Sequence, residues 1–110
     1  MKLPHAENAD VDIRKLTNYC LNPDHPVGKH KARVFESALG LTAEDATILR
    51  DALLQAVSET EATPGEVDDY GRRFTIDFKM RTEAGKATVR SGWIIRTGED
   101  FPRLTTCFVL

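Results

Sequence analysis

Arg73-Phe74-Thr75-Ile76-Asp77-Phe78-Lys79-Met80-Arg81 alternates between polar and apolar side chains without a break. Successive side chains of a strand point to opposite faces, so this pattern predicts a half-buried strand. Phe74, Ile76, Phe78 and Met80 share its inward face, and Arg73, Thr75, Asp77, Lys79 and Arg81 its outward face. Glu83-Ala84-Gly85-Lys86 has the length of a hairpin turn. In the strand that follows, Ala87, Val89, Ser91, Trp93 and Ile95 share one face and Thr88, Arg90, Gly92, Ile94 and Arg96 the other. Thr97-Gly98-Glu99-Asp100 turns the chain again. Leu104, Thr106, Phe108 and Leu110 then alternate with Arg103, Thr105, Cys107 and Val109, which predicts a last strand with Leu104, Thr106 and Phe108 on one side.

Upstream the period changes. Ile13, Leu16, Tyr19 and Cys20 make a stripe suited to a short helix, which the prolines and glycine of Asn22-Pro23-Asp24-His25-Pro26-Val27-Gly28 must stop. A second helix is expected from about Gly28 to Leu39, with Ala32, Phe35 and Leu39 inward and Gly40 as its stop. Thr42 and Asp45 have capping-box spacing before a third helix over about 43–58, which buries Ala46, Leu49, Leu53, Ala56 and Val57. Glu61–Val67 is expected as a short edge strand. The fold class is therefore α+β: two to three N-terminal helices packed on one face of an antiparallel meander of three to four strands. Residues 1–110 are expected to form one domain, with 1–10 as an N-terminal extension.

Composition narrows the function classes. At 41% apolar and 29% charged residues the chain is ordinary for a globular protein, and its net charge of −2 gives no global attraction to nucleic acid or anionic membrane. Any such affinity must come from a local patch. No apolar run approaches the roughly 18 residues of a membrane span, and residues 1–8 lack the apolar stretch of a signal peptide, so a cytoplasmic location is expected unless the chain is part of a larger secreted protein. Cys20 and Cys107 sit among apolar neighbours with no Cys-x-x-Cys or Cys/His spacing, which predicts buried reduced thiols, no metal site and no cofactor.

The chemistry-bearing stretch is His25-Pro26-Val27-Gly28-Lys29-His30-Lys31-Ala32-Arg33. Cations at a helix start oppose the helix dipole at a cost of about 0.3–1 kcal/mol each, and a bound anion reverses that sign. Free backbone N–H groups, Gly28 and the Lys and His side chains together form a candidate phosphate cradle. The same side chains simply solvated are the alternative. A second set lies on the outward sheet face, where Arg73, Arg90, Arg103 and Thr105 are placed to clamp or position phosphates. There the alternative is a solvated face with cross-strand ion pairs, for which Asp77 supplies an acid.

Several segments in order then carry a resemblance: Asn22-Pro23-x-His25-Pro26-x-Gly28-x-x-Lys31-Ala32-x-x-Phe35, Leu39-Gly40-Leu41, Tyr70-Gly71-x-Arg73-Phe74, Val89-Arg90-x-x-Trp93 and Pro102-Arg103-Leu104-Thr105-Thr106. Together they resemble a small bacterial domain of unknown function that also occurs as a C-terminal module of polymorphic toxins. Its layout is similar to the barnase, EndoU, colicin and RelE group of ribonucleases. That resemblance implies metal-independent RNA cleavage, in which the 2′-hydroxyl attacks the adjacent phosphate and cations stabilise the phosphorane. It implies His25, with His30 as rival, as base or acid, Lys31 and Arg90 as charge stabilisers, and Arg103 and Thr105 as positioning groups. Lys29, Arg33 and Arg73 are expected to contribute to substrate binding. The other reading is a non-catalytic binding or regulatory domain paired with a small immunity- or antitoxin-like protein, with Cys107-Phe108-Val109-Leu110 as a strand edge open to pairing.

Overall fold

The computed structural model describes residues 1–110. Four strands, β1 (Thr63–Asp68), β2 (Gly71–Thr82), β3 (Gly85–Arg96) and β4 (Arg103–Val109), form one antiparallel sheet in the order β1-β2-β3-β4. The helical segments all precede it in the chain. The α+β meander expected from the pattern is the fold.

The helix stripes match their expected faces. In α2 (Lys29–Leu39) Ala32, Phe35 and Leu39 are buried. Gly40 ends this helix at φ 67, and its N–H and that of Leu41 return to Glu36 and Phe35, as in a left-handed C-terminal cap. A 3₁₀ turn (Ala43–Asp45) carries the Thr42–Asp45 capping box and leads into α3 (Ala46–Glu59), whose buried residues are the five expected ones. The first helix differs from expectation. It is one α-turn, α1 (Ile13–Lys15), running into a π-turn (Leu16–Cys20) in which Leu16 and Cys20 are both buried.

Helices and sheet close over a shared core that includes Leu16, Cys20, Phe35, Leu49, Leu53, Ile76, Val89, Trp93, Leu104 and Cys107. Trp93 is 1% exposed, and its Nε1–H donates to Ser91 Oγ, which in turn donates to the Ile76 carbonyl. The buried indole and hydroxyl are thus both satisfied. Residues 1–10 are tied in as well: Leu3 is buried, Met1 and Ala62 exchange backbone hydrogen bonds, and Asp10 bridges to Arg103.

The β2–β3 register runs without a shift from Gly71↔Arg96 to Thr82↔Gly85, as the alternation requires. The β3–β4 register does not. Trp93 pairs with Leu104 and Gly92 with Thr106, leaving Thr105 as the extra residue of a bulge. The bulge corrects the expected β4 alternation. Leu104 and Cys107 are the core residues, whereas Thr106 lies opposite Gly92, and Phe108 opposite Arg90, on the face away from the helices. A glycine suits this spot: a Cβ at position 92 would stand 2.8 Å from Thr105 Oγ1.

Candidate functional site

The loop before α2 is built around His25. Asn22 Oδ1 accepts the Asp24 N–H at 2.9 Å, starting the turn. His25 Nδ1 then accepts two backbone N–H groups, those of Val27 at 3.0 Å and Gly28 at 2.9 Å. The imidazole does what a Ser or Asp cap does elsewhere, since the residue at the helix boundary is Gly28, which has no side chain to offer. An Nδ1 that accepts leaves the ring proton on Nε2, so neutral His25 presents a donor to its surroundings. Its ring stands edge-on to Tyr19, with centroids 4.9 Å apart and an interplanar angle of 83°.

Gly28 is set by contact. A Cβ there would lie 2.2 Å from the Tyr19 carbonyl oxygen, so only glycine lets α2 start against the π-turn. One turn on, Lys31 Nζ donates to Tyr19 Oη at 2.6 Å, 4.8 Å from the centre of that ring and 5.7 Å from the centre of Phe108. Phe108 is in turn the cross-strand neighbour of Arg90. His25, Tyr19, Lys31 and Phe108 thus form a continuous line at the edge of β4, and Arg90 is the cross-strand partner of Phe108.

Arg90 is engaged on its other side. Its Nε and Nη2 donate to the two Asp77 oxygens, both at 2.8 Å, and the pairing holds the Asp77 carboxyl below its usual range and the guanidinium above its own. Glu61, Thr63 and Thr75 line a polar hollow beside this pair. The Thr105 hydroxyl lies over Gly92, next to Arg90 on β3.

The remaining expected site residues are placed elsewhere. Arg103 forks onto Glu99 at 2.9 Å through both Nε and Nη2 and reaches Asp10 at 2.8 Å, which fastens the N-terminal segment to the turn before β4. Arg73 pairs with Asp68 beside the β1–β2 turn. His30 and Arg33 are exposed on α2, and Lys29 is half-buried. The helix start and the strand cations therefore do not close into one nook: Lys31 reaches the Phe108 ring, while the Arg90 guanidinium is held on Asp77.

Two members of the line are new. Tyr19 has the spacing of a core residue, and Phe108 falls on the inward side of an unbulged β4. Only the bulge moves Phe108 beside Arg90, and no local residue pattern announces it. No three His, Cys, Asp or Glu side chains gather as metal ligands, and no helix is long and apolar enough to cross a membrane.

A family model described as Domain of unknown function (DUF6883) matches residues 2–110. The chain belongs to this family. The DUF6883 chain also shares its fold with a solved chain of the contact-dependent growth inhibition toxin–immunity protein complex from Klebsiella pneumoniae 342. The TM-score is 0.68 at 16% identity, over 91% of this chain and 98% of that one. No curated protein sequence matches the DUF6883 chain.

Proposed function

We propose that this domain is a toxin-type, metal-independent endoribonuclease module that works at the β4 edge. The observation that carries the reading is the half-buried Phe108 ring, with Lys31 Nζ 5.7 Å from its centre and Arg90 as its cross-strand partner. Base stacking on an aromatic ring, with cations on the adjoining phosphates, is how single-stranded RNA is held without sequence readout. Lys31 and Arg90 then stabilise the charge that builds on the phosphorane. Thr105 offers a hydroxyl to the strand. His25, fixed as the Nε2–H tautomer, donates to a phosphate oxygen, and His30, exposed on α2, is its rival for that role. Lys29 and Arg33 on α2 serve the longer backbone path, and Arg73 and Arg103 join it only by leaving Asp68, Glu99 and Asp10. The shared fold with a chain of a toxin–immunity protein complex supports a toxin-related or immunity-like role.

A second reading has its own observation. Asp77 already satisfies Arg90, and Tyr19 already accepts from Lys31. A rim so engaged also suits a non-catalytic domain whose open β4 edge pairs with a small immunity-like protein. Expression of the chain without any partner separates the two. Growth arrest with cleavage of total RNA, abolished in a folded Lys31→Ala variant, is the expected result. Intact RNA and normal growth with a folded, soluble chain would discard the nuclease reading in favour of the binding domain.

A further inference from the structure

We infer that the free half of the β2 edge is a docking site for a partner protein strand that alternates apolar and acidic side chains. The site stands apart from the β4 edge and from the nuclease reading. β1 pairs with β2 only as far as Thr63↔Thr75. From Ile76 to Arg81, β2 therefore has β3 on one side and no strand on the other. Alternate residues of such a strand turn their N–H and C=O groups away from the sheet, where they can pair with a further strand. A hollow of about 400 Å³ runs along this stretch, between β2 and α3. Phe78, Lys79, Met80 and Arg81 all line it. Consecutive strand residues point to opposite faces, so a groove beside the strand touches all four, and one above either face would not.

The two sides of the groove define what fits. Toward the helices it presents Ile48, which is 53% exposed, with half-buried Ala52 and Phe78 and buried Met80. On the other face it presents Lys79 and Arg81, both exposed, and Lys86 stands directly across from Arg81 on β3. Like charges set opposite each other on a sheet are destabilising. Elsewhere on the sheet Arg73, Arg90 and Arg103 are each held on a carboxylate, whereas Lys79, Arg81 and Lys86 form no ion pair. The carboxylates of the α3 wall leave them unpaired too, and Glu59 there accepts from Gln55. An added strand thus meets apolar contact at every second side chain and unpaired positive charge at those between. A second copy of β2 does not fit, because antiparallel pairing would set Lys79 and Arg81 against the same cations. A strand with aspartate or glutamate at alternate positions does.

The test is an amide NMR titration of the full chain with a short capped peptide alternating valine with glutamate. Shifts are expected along Ile76–Arg81 and at Ile48 and Ala52, with slowed amide exchange at alternate β2 residues and weaker binding in salt. Reversing both edge charges, Lys79→Glu with Arg81→Glu, alters exposed side chains only. It should weaken binding by about tenfold or more and let a valine–lysine peptide bind instead. Methylating alternate peptide nitrogens of the valine–glutamate peptide should abolish binding, since the backbone can then no longer pair. Equal binding of the methylated peptide, equal binding of the lysine peptide to the parent chain, or no binding to the folded chain would overturn the inference. So would a short single-stranded RNA that shifts these same residues, which would mark the cations as a nucleic-acid contact.

Discussion

The β2–β3 hairpin and the corner where the π-turn, α2 and β4 meet draw on the same side-chain types but obey different rules. Along the hairpin each residue has one partner, from Gly71↔Arg96 to Thr82↔Gly85, and burial follows the period of two. At the corner a bulge, a π-turn and a histidine cap replace regular hydrogen bonding. Such departures persist only where the surrounding structure holds them. They also bring together Tyr19, His25, Lys31 and Phe108, four residues spread from 19 to 108 in the chain. The regular region supplies stability, and the irregular one gathers the residues of the proposed site.

Substitutions in the two regions should separate these contributions. The largest effect is expected beneath the hairpin. Trp93→Ala empties a buried site and should cost about 3–5 kcal/mol in urea unfolding, weakening the whole molecule. Next is Gly28→Ala at the corner. A methyl cannot share space with the Tyr19 carbonyl, so a loss of about 1–3 kcal/mol is expected, and Lys31 should lose its place beside Phe108. If Gly28→Ala is neutral, the close approach of α2 to the π-turn is wrong.

His25→Ala removes the acceptor for two N–H groups and should cost about 1 kcal/mol, as for a lost helix cap. Amide exchange of Val27 and Gly28 should accelerate more than that of the hairpin; equal acceleration would argue against a local cap. The smallest effect belongs to Asp77→Asn on the regular face. Arg90 lowers the Asp77 carboxyl below its unfolded value, so the pair stabilises above that value and the contribution is lost as pH falls through the folded one. The variant should be slightly less stable than the parent at neutral pH and equal to it in strong acid. A difference that persists in acid would point to packing and not to charge.

This division also explains what the residues disclosed in advance. The sheet, the stripes of α2 and α3 and the Thr42 capping box are local patterns, and each is legible because one period decides it. The β4 bulge is not, because Thr105 is displaced by a partner strand, not by its neighbours in sequence. Consequently the alternation assigns Phe108 to the core face, whereas it lies beside Arg90, while the burial expected of Cys107 holds. His25, Lys31 and Arg90 stood out as polar residues in unusual settings, but their links through Tyr19 and Phe108 are long-range contacts with no sequence signature. Arg103 and Arg73 had the chemistry of phosphate ligands, and the structure spends them on Glu99, Asp10 and Asp68.

The most direct test of the central claim is an amide and side-chain NMR titration with a short single-stranded RNA made uncleavable by 2′-deoxy substitution. The account predicts shifts centred on Lys31, Phe108, Arg90 and Thr105 at the β4 edge, weakening with added salt. Shifts centred instead on Lys79, Arg81 and Lys86 at the far end of the hairpin, or none at all from the folded protein, would contradict it.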